Sequence, residues 1–394
     1  MTQVLLCGAL IVTLSMGIRH GFGLWLGPIT TERGWTRESF AFAIAIQNLA
    51  WGLSGPLTGM VADRFGAFRV LVVGSLLYAL GLVAMATASQ TLGFILGTGL
   101  LIGVAQSATT YAVIYGVIGR NIPVDKRSWA MGVAAAAGSF GQFLMVPVES
   151  TLIGWLGWQE ALFVLAALTL MVLPLARGLK EAPFTAGHGA RQSIGAAIRE
   201  AFKHKSFLML MAGYFVCGFQ VVFIGVHLPA FLKDHNFEPG VATTALALIG
   251  LFNVFGTYGA GVLGQRLAKG HILASIYALR SVAIVLFISL PITPLSVYVF
   301  AAVMGVLWLS TVPPTNALVA QMFGVQHFAM LGGFVFLSHQ VGSFLGVWLG
   351  GRLYDVTGSY DVVWWISIGL GIAAALINLP VRETAVARPL AATA

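Results

Sequence analysis

Arg19 and His20 stand side by side in the middle of an apolar run, and Arg280 lies ten residues into another. A guanidinium at that depth of a membrane costs at least about 2.5–3.5 kcal/mol unless it faces a cavity or a partner. Arg19 can pair with a carboxylate through charge-assisted hydrogen bonds, or it can tie its own helix to a neighbour. Arg280 has the same two options, with a stabilising contact to a neighbouring helix as the simpler one. His339, followed by Gln340, sits at the centre of a third run. There an imidazole is either a hydrogen-bonded packing residue or a proton carrier, since it titrates nearest to neutrality. Neutral polar and aromatic residues punctuate further runs: Gln106, Thr110 and Tyr111 in one, Gln220 in another, Trp308 and Thr311 in a third. Gln106 and Thr110 share a helix face by their i, i+4 spacing. Singly, such residues glue membrane helices together; grouped around Arg19 they would make a pocket with one cation, neutral donors and aromatic walls. The chemistry on offer is anion binding and proton handling rather than bond making. No phosphate loop, H-E-x-x-H, Cys/His cluster or G-x-S-x-G occurs, and Cys7 and Cys217 have no metal-ligand spacing. An enzyme, catalytic residues, a metal and a cofactor are therefore not expected. No acid lies at mid-depth, and Glu149 falls near the end of its run. Proton coupling would then use a histidine, Glu149, or the bound anion's own carboxylate.

The elements that must position these residues follow from composition. Of 394 residues, 58% are hydrophobic and only 9% charged, too few to coat a water-facing surface. A soluble multi-domain enzyme is excluded. So is a collagen-like or disordered chain, because the 48 glycines sit among aliphatic runs without a three-residue period. Ten tryptophans and 26 phenylalanines suit a lipid-facing surface with interfacial anchors. With roughly 20 residues per span as the yardstick, helices are predicted at about 4–29, 37–62, 69–88, 91–119, 127–154 and 158–178. A polar linker at 179–205 follows, then helices at about 206–232, 240–266, 271–290, 294–322, 327–353 and 360–381. The first run is too long for a signal peptide and reads as a retained helix. Pro313 and Pro314 are expected to break the tenth helix near its middle.

Sorting the basic residues by turn gives fifteen on the side of the termini, four on the other, and two (Arg19 and Arg280) within spans. By the positive-inside rule both termini are cytoplasmic, in a multi-pass protein of the cell's inner (plasma) membrane. The net charge of +8 is thus a topology signal, with anionic lipid rather than nucleic acid as its partner. The halves repeat: a shift of 202 residues carries Gly23-Leu-Trp-Leu…Glu32-Arg-Gly-Trp35 onto Gly225-Val-His-Leu…Asp234-His-Asn-Phe237. The same shift carries Gly59…Asp63-Arg64 onto Gly261…Gln265-Arg266. One register across separated landmarks argues for duplication of a six-helix unit, an arrangement that places a ligand near the midplane between the halves.

The turn Gly59-Met-Val-Ala-Asp63-Arg64-Phe-Gly66-Ala-Phe-Arg69 resembles the G-x-x-x-D-R-x-G loop of the major facilitator superfamily. The resemblance covers the whole chain. It implies twelve transmembrane helices in two pseudo-symmetric six-helix bundles, 1–178 and 206–394, working as a monomer by alternating access. It also implies a gating role for Asp63 and Arg64, and a cavity lined by helices 1, 4, 7 and 10. Lys126-Arg127…Ala130…Gly132…Gly138…Gly141…Pro147 and Gly157-Trp158-Gln resemble the monocarboxylate-porter branch, with the later glycines displaced by one residue. That branch's binding residues have no counterpart here: its helix 1 lysine falls near Leu24, and helix 8 holds Asn253 but no interior charge. The drug:proton antiporter motifs are missing from helix 4 (Gly99-Leu-Leu-Ile-Gly103) and helix 5 (Gly138-Ser-Phe-Gly141).

The reading that follows is a secondary transporter of a small, monocarboxylate-like organic anion, moved with a proton or by anion exchange. Arg19, His20, Gln106, Thr110, Tyr111, Gln220, Trp308 and Thr311 would contact the substrate. His339, Gln340, Arg280, Asp63 and Arg64 would serve coupling or gating. Proton-coupled efflux of drugs or apolar metabolites is the alternative, and a non-transporting receptor on the same scaffold is a second.

Overall fold

A computed structural model describes residues 2–179, 193–324 and 327–386, without the side chains of residues 63, 119, 124–129 and 329. Among the described residues every regular element is helical, as a lipid solvent that satisfies no bare amide demands. Twelve helices are long and apolar enough to cross a membrane. They are α1 (Thr2–His20), α2 (Arg37–Ala62), α3 (Ala67–Thr87), α4 (Thr91–Ile118), α5 (Ala130–Leu156) and α6 (Trp158–Arg177). The second six are α7 (Lys205–Asp234), α8 (Pro239–Leu263), α9 (Lys269–Ser289), α10 (Pro294–Phe323), α11 (Met330–Thr357) and α12 (Asp361–Asn378). Of the linker, Ile194–Lys203 forms a short helix capped by the Ser193 hydroxyl, which accepts the Ala196 N–H. Linker residues 180–192 lie outside the described residues.

The packing repeats with the sequence. In the first half α1 lies on α5, α2 on α4 and α3 on α6; in the second, α7 lies on α11, α8 on α10 and α9 on α12. Between the halves α2 packs on α11 and α5 on α8. The 202-residue register extends to the backbone: Gly34 (φ 65°) and Asn236 (φ 61°) are equivalent left-handed turns. Asn236 is the one non-glycine with positive φ among the described residues, and asparagine tolerates that region best.

Three spans are broken, two of them where the sequence predicts continuity. The helix expected over 4–29 ends at His20, and the chain resumes as a second helical segment, Gly23–Arg33. At the break the Gly21 and Phe22 N–H groups reach back three residues, to the Ile18 and Arg19 carbonyls at 3.3 and 3.4 Å. Span α4 passes through a wide π-helical turn at Ile95–Leu101 and is interrupted at Thr110, whose backbone is extended. Span α10 breaks after Leu307 and restarts at Val312. Pro313 and Pro314 occupy the first turn of the restarted helix, so the expected break lies directly ahead of them, where their missing N–H groups cannot bond the Leu309 and Ser310 carbonyls.

The two halves are tied together at the end of the bundle where α2 begins. Arg37 donates from both terminal nitrogens to the Asp234 carboxylate at 2.7 and 2.6 Å and to the Tyr360 hydroxyl at 2.9 Å. Asp355 accepts the Arg37 and Glu38 N–H groups at 3.2 and 2.7 Å, capping α2 from the opposite half. Glu38 accepts in turn from Arg352 at 3.0 Å and the Trp348 indole at 3.2 Å. One layer deeper, a Cβ on Gly23 would collide with the Gly225 carbonyl, so the repeat-equivalent glycines let Gly23–Arg33 press directly on α7.

Candidate functional site

Because α1 ends at His20, Arg19 stands at a helix end, half-buried, with its guanidinium directed to α2. It donates to the Asn48 side-chain oxygen at 2.6 Å and lies 4.8 Å from the centre of the Trp51 ring. Its Nε is buried without a partner, and it forms no ion pair with an acid among the described residues. Asn48 is oriented by its own amide, which donates to the Ile44 carbonyl at 2.8 Å. A neutral acceptor and an aromatic face hold the cation in place without neutralising it.

Arg19 and His20 line a cavity of about 30 Å³ where the halves meet, together with Phe22, Gly23, Gln47, Gln142, Gly225 and Trp308. That volume holds about one water molecule. Three of its polar groups are incompletely bonded: Arg19 Nε, Gln142 Oε1 and Trp308 Nε1 are buried without partners among the described residues. Gln142 spends its amide on the Leu246 carbonyl of α8 at 3.1 Å, and His20 bonds the Met16 carbonyl at 2.6 Å.

The remaining residues named from sequence are placed elsewhere. Thr110 bonds back to the Gln106 carbonyl at 2.6 Å, satisfying a carbonyl at the break in α4. Gln106 faces Gln47 at 3.5 Å. Tyr111 stacks near Tyr115, ring centres 5.5 Å apart, and its hydroxyl fills the space over Gly138 of α5. Gln220 donates to the Ser367 carbonyl of α12 at 2.9 Å and accepts from Arg280. The Thr311 hydroxyl meets Cys217 at 3.3 Å. None of these five lines the cavity in this closed arrangement. Arg280 is fully buried and donates to the Leu307 and Trp308 carbonyls, the groups exposed by the break in α10. His339 bonds Gln340 at 3.2 Å and Ser343 at 3.4 Å, with its ring 4.9 Å from Tyr214. Gln340 packs its stem over Gly52 on the α2–α11 seam. Arg64 is exposed, 5.2 Å over the Phe65 ring; the Asp63 side chain lies outside the described residues.

Gln47 and Gln142 line the cavity and Asn48 holds Arg19, and the sequence reading named none of the three. Each is a polar group inside an apolar run, so the rule that selected Arg19 would have found them. They were passed over because α2 and α5 were not counted among the cavity-lining spans.

Twelve helical spans in repeated halves, with a partly bonded cation beside a cavity between them, are the architecture of a polytopic membrane transporter. Residues 5–327 match the family model of the Major Facilitator Superfamily, and the chain belongs to that superfamily. It is 24% identical over 387 residues to monocarboxylate transporter 13 of Bos taurus, covering 93% of this chain and 86% of that protein. It is 27% identical over 389 residues to the probable sulfoacetate transporter SauU of Cupriavidus necator, covering 90% and 86%. Its fold is shared with a bacterial homologue of the human lysosomal transporter Spinster, whose crystal structure is inward-facing and unoccupied. There the TM-score is 0.71 at 15% identity, over 96% of this chain and 94% of the other.

Proposed function

We propose that the protein moves a small organic anion of the monocarboxylate kind across the membrane by alternating access, with Arg19 as the cation that receives the carboxylate. The observation that carries this reading is Arg19 itself: a guanidinium at the break in α1, beside the cavity between the halves, held by Asn48 and Trp51 but not neutralised by an acid among the described residues. A carboxylate would complete its fork, and Trp308 Nε1 and Gln142 add a free donor and acceptor to the same wall. The names of the relatives, monocarboxylate and sulfoacetate transporters, support an anionic substrate. Substrate would enter as the halves 1–178 and 206–394 move apart beside this cavity. The basic turns support cytoplasmic termini in a plasma membrane, with protons or a second anion balancing the charge moved.

A thermal-shift titration with lactate, pyruvate and acetate on purified protein tests the assignment. Carboxylates should raise the unfolding temperature of the wild type and leave Arg19→Gln unmoved. Equal shifts in both proteins would remove Arg19 from the site. In proteoliposomes Arg19→Gln should lose carboxylate uptake while eluting as a folded protein in detergent.

A further inference from the structure

Glu149 is a fully buried carboxylate in α5, at the level where α1 breaks. It accepts one hydrogen bond, from the Trp25 indole at 3.0 Å, while its Oε1 is buried without a partner among the described residues. A Cβ on Gly21 would collide with both carboxylate oxygens, so the acid is packed into the gap that the break in α1 opens. A buried ionised carboxylate with a single neutral donor is far costlier than a neutral one. No cation among the described residues offsets it. On the first span, Arg19 is engaged with Asn48 and His20 with the Met16 carbonyl. At the end of Gly23–Arg33, Glu32 accepts from Trp158, and Arg33 donates to the Ala86 carbonyl. From α3 the Tyr78 phenol faces the acid and donates to the Ser15 carbonyl. On α4, Tyr111 lies at Gly138, about three turns along α5. On α6, Glu160 sits in the first turn, and α8 carries no charged residue between Pro239 and Leu263.

The repeat shows that the scaffold does not require an acid there. The repeat carries Trp25 onto His227, and where Trp25 meets Glu149 on α5, His227 packs against Gly350 on α11. In the second half His227 meets its needs with the Val347 carbonyl at 2.8 Å and the Tyr360 hydroxyl at 3.1 Å. The seam between a half's first and fifth helices therefore forms without a carboxylate, and Glu149 marks where the two halves differ chemically.

We propose that Glu149 is the proton-binding site of the transporter: it holds a proton while Gly23–Arg33 is closed over it, and exchanges that proton when the segment swings away and takes Trp25 with it. Because Trp25 belongs to the segment pressed on α7, the same movement that separates the halves uncovers the acid. One proton on Glu149 and one anion on Arg19 would cross together; this coupling rests on the anion reading, whereas the proton site itself does not.

Infrared difference spectroscopy on the reconstituted protein tests the site without any substrate. Wild type at neutral pH should show the carbonyl stretch of a protonated carboxyl that is absent from Glu149→Gln and displaced in Trp25→Phe. A wild-type spectrum lacking that band overturns the proposal, and so does a band unaffected by either substitution. With lactate as probe, a one-unit pH gradient sustains roughly tenfold accumulation for one proton carried per anion. Glu149→Gln should lose that accumulation yet keep lactate–lactate counterflow, because the amide preserves the Trp25 bond and fixes the neutral form. Gradient-driven accumulation persisting in Glu149→Gln overturns the coupling role, which a merely structural glutamate would leave intact. A Glu149 band in a wild type that moves no lactate upholds the proton site and overturns the anion reading alone.

Discussion

Two arginines enter the membrane, and their partners give them different work. Arg280 spends three of its bonds on the carbonyls of Leu307 and Trp308, which α10 leaves unsatisfied when it breaks. A fourth reaches Gln220 at 3.4 Å. It acts as a backbone clamp. Arg19 has one side-chain acceptor, and its fork is incomplete. The contrast predicts opposite outcomes for the same substitution. Arg280→Met would strand buried carbonyls at about 1–3 kcal/mol each and should lower the thermal unfolding temperature by several degrees. Arg280→Lys should recover part of that loss, because an ammonium reaches fewer of the same acceptors. Arg19→Met should cost little stability while removing carboxylate binding. Equal losses of unfolding temperature at the two positions would show that Arg19, too, is structural.

At the scale of elements, the breaks in α1, α4 and α10 place helix ends and unpaired polar groups at mid-depth, and the ion cluster at the start of α2 fixes how the halves meet. Arg37 and Asp234 are partly exposed, at 18% and 29% of their side-chain surfaces, so their pair is screened but belongs to a network. Arg37→Asp sets like charges against Asp234 and Asp355 and should destabilise the closed end; adding Asp234→Arg should restore most of the loss. In a double-mutant cycle read by thermal unfolding, a coupling of about 1 kcal/mol is expected, shrinking as salt is raised. Additive effects of the two changes would show that the pair does not hold the halves together. The number of spans and the six-plus-six repeat were legible in the sequence, because apolar length and a constant register are strong signals. The breaks in α1 and α4 were not: Gly21 is one of 48 glycines, whereas in α10 the chain yields at Trp308–Thr311, directly ahead of the Pro313-Pro314 pair that marked it. Arg19 stood out because charge is expensive in lipid. Gln47, Asn48 and Gln142 carry a weaker form of the same signal, and Glu149 was legible only as one of several proton-coupling options, because its burial is set by the break in a different helix.

For the whole molecule, closure at one end and a cavity the size of a water molecule have a common origin. The seams α2–α11 and α5–α8 bring the halves together, and Gly23–Arg33 seals the gap against α7. Alternating access opens such a cavity to each side in turn, and on this reading the α5–α8 seam parts at the end where Ser150 and Thr243 meet. Their hydroxyl oxygens lie 2.8 Å apart across the halves, close enough for a cysteine pair to oxidise with little backbone movement. Ser150→Cys with Thr243→Cys, in a background carrying Cys7→Ser, should form a disulfide that locks the seam. Oxidation should slow backbone hydrogen exchange across residues 23–33 and stop lactate movement, and a reductant should reverse both. If the fully oxidised protein exchanged and transported as before, the halves would not separate at this end, and access to Arg19 and Glu149 would have to open through the opposite one.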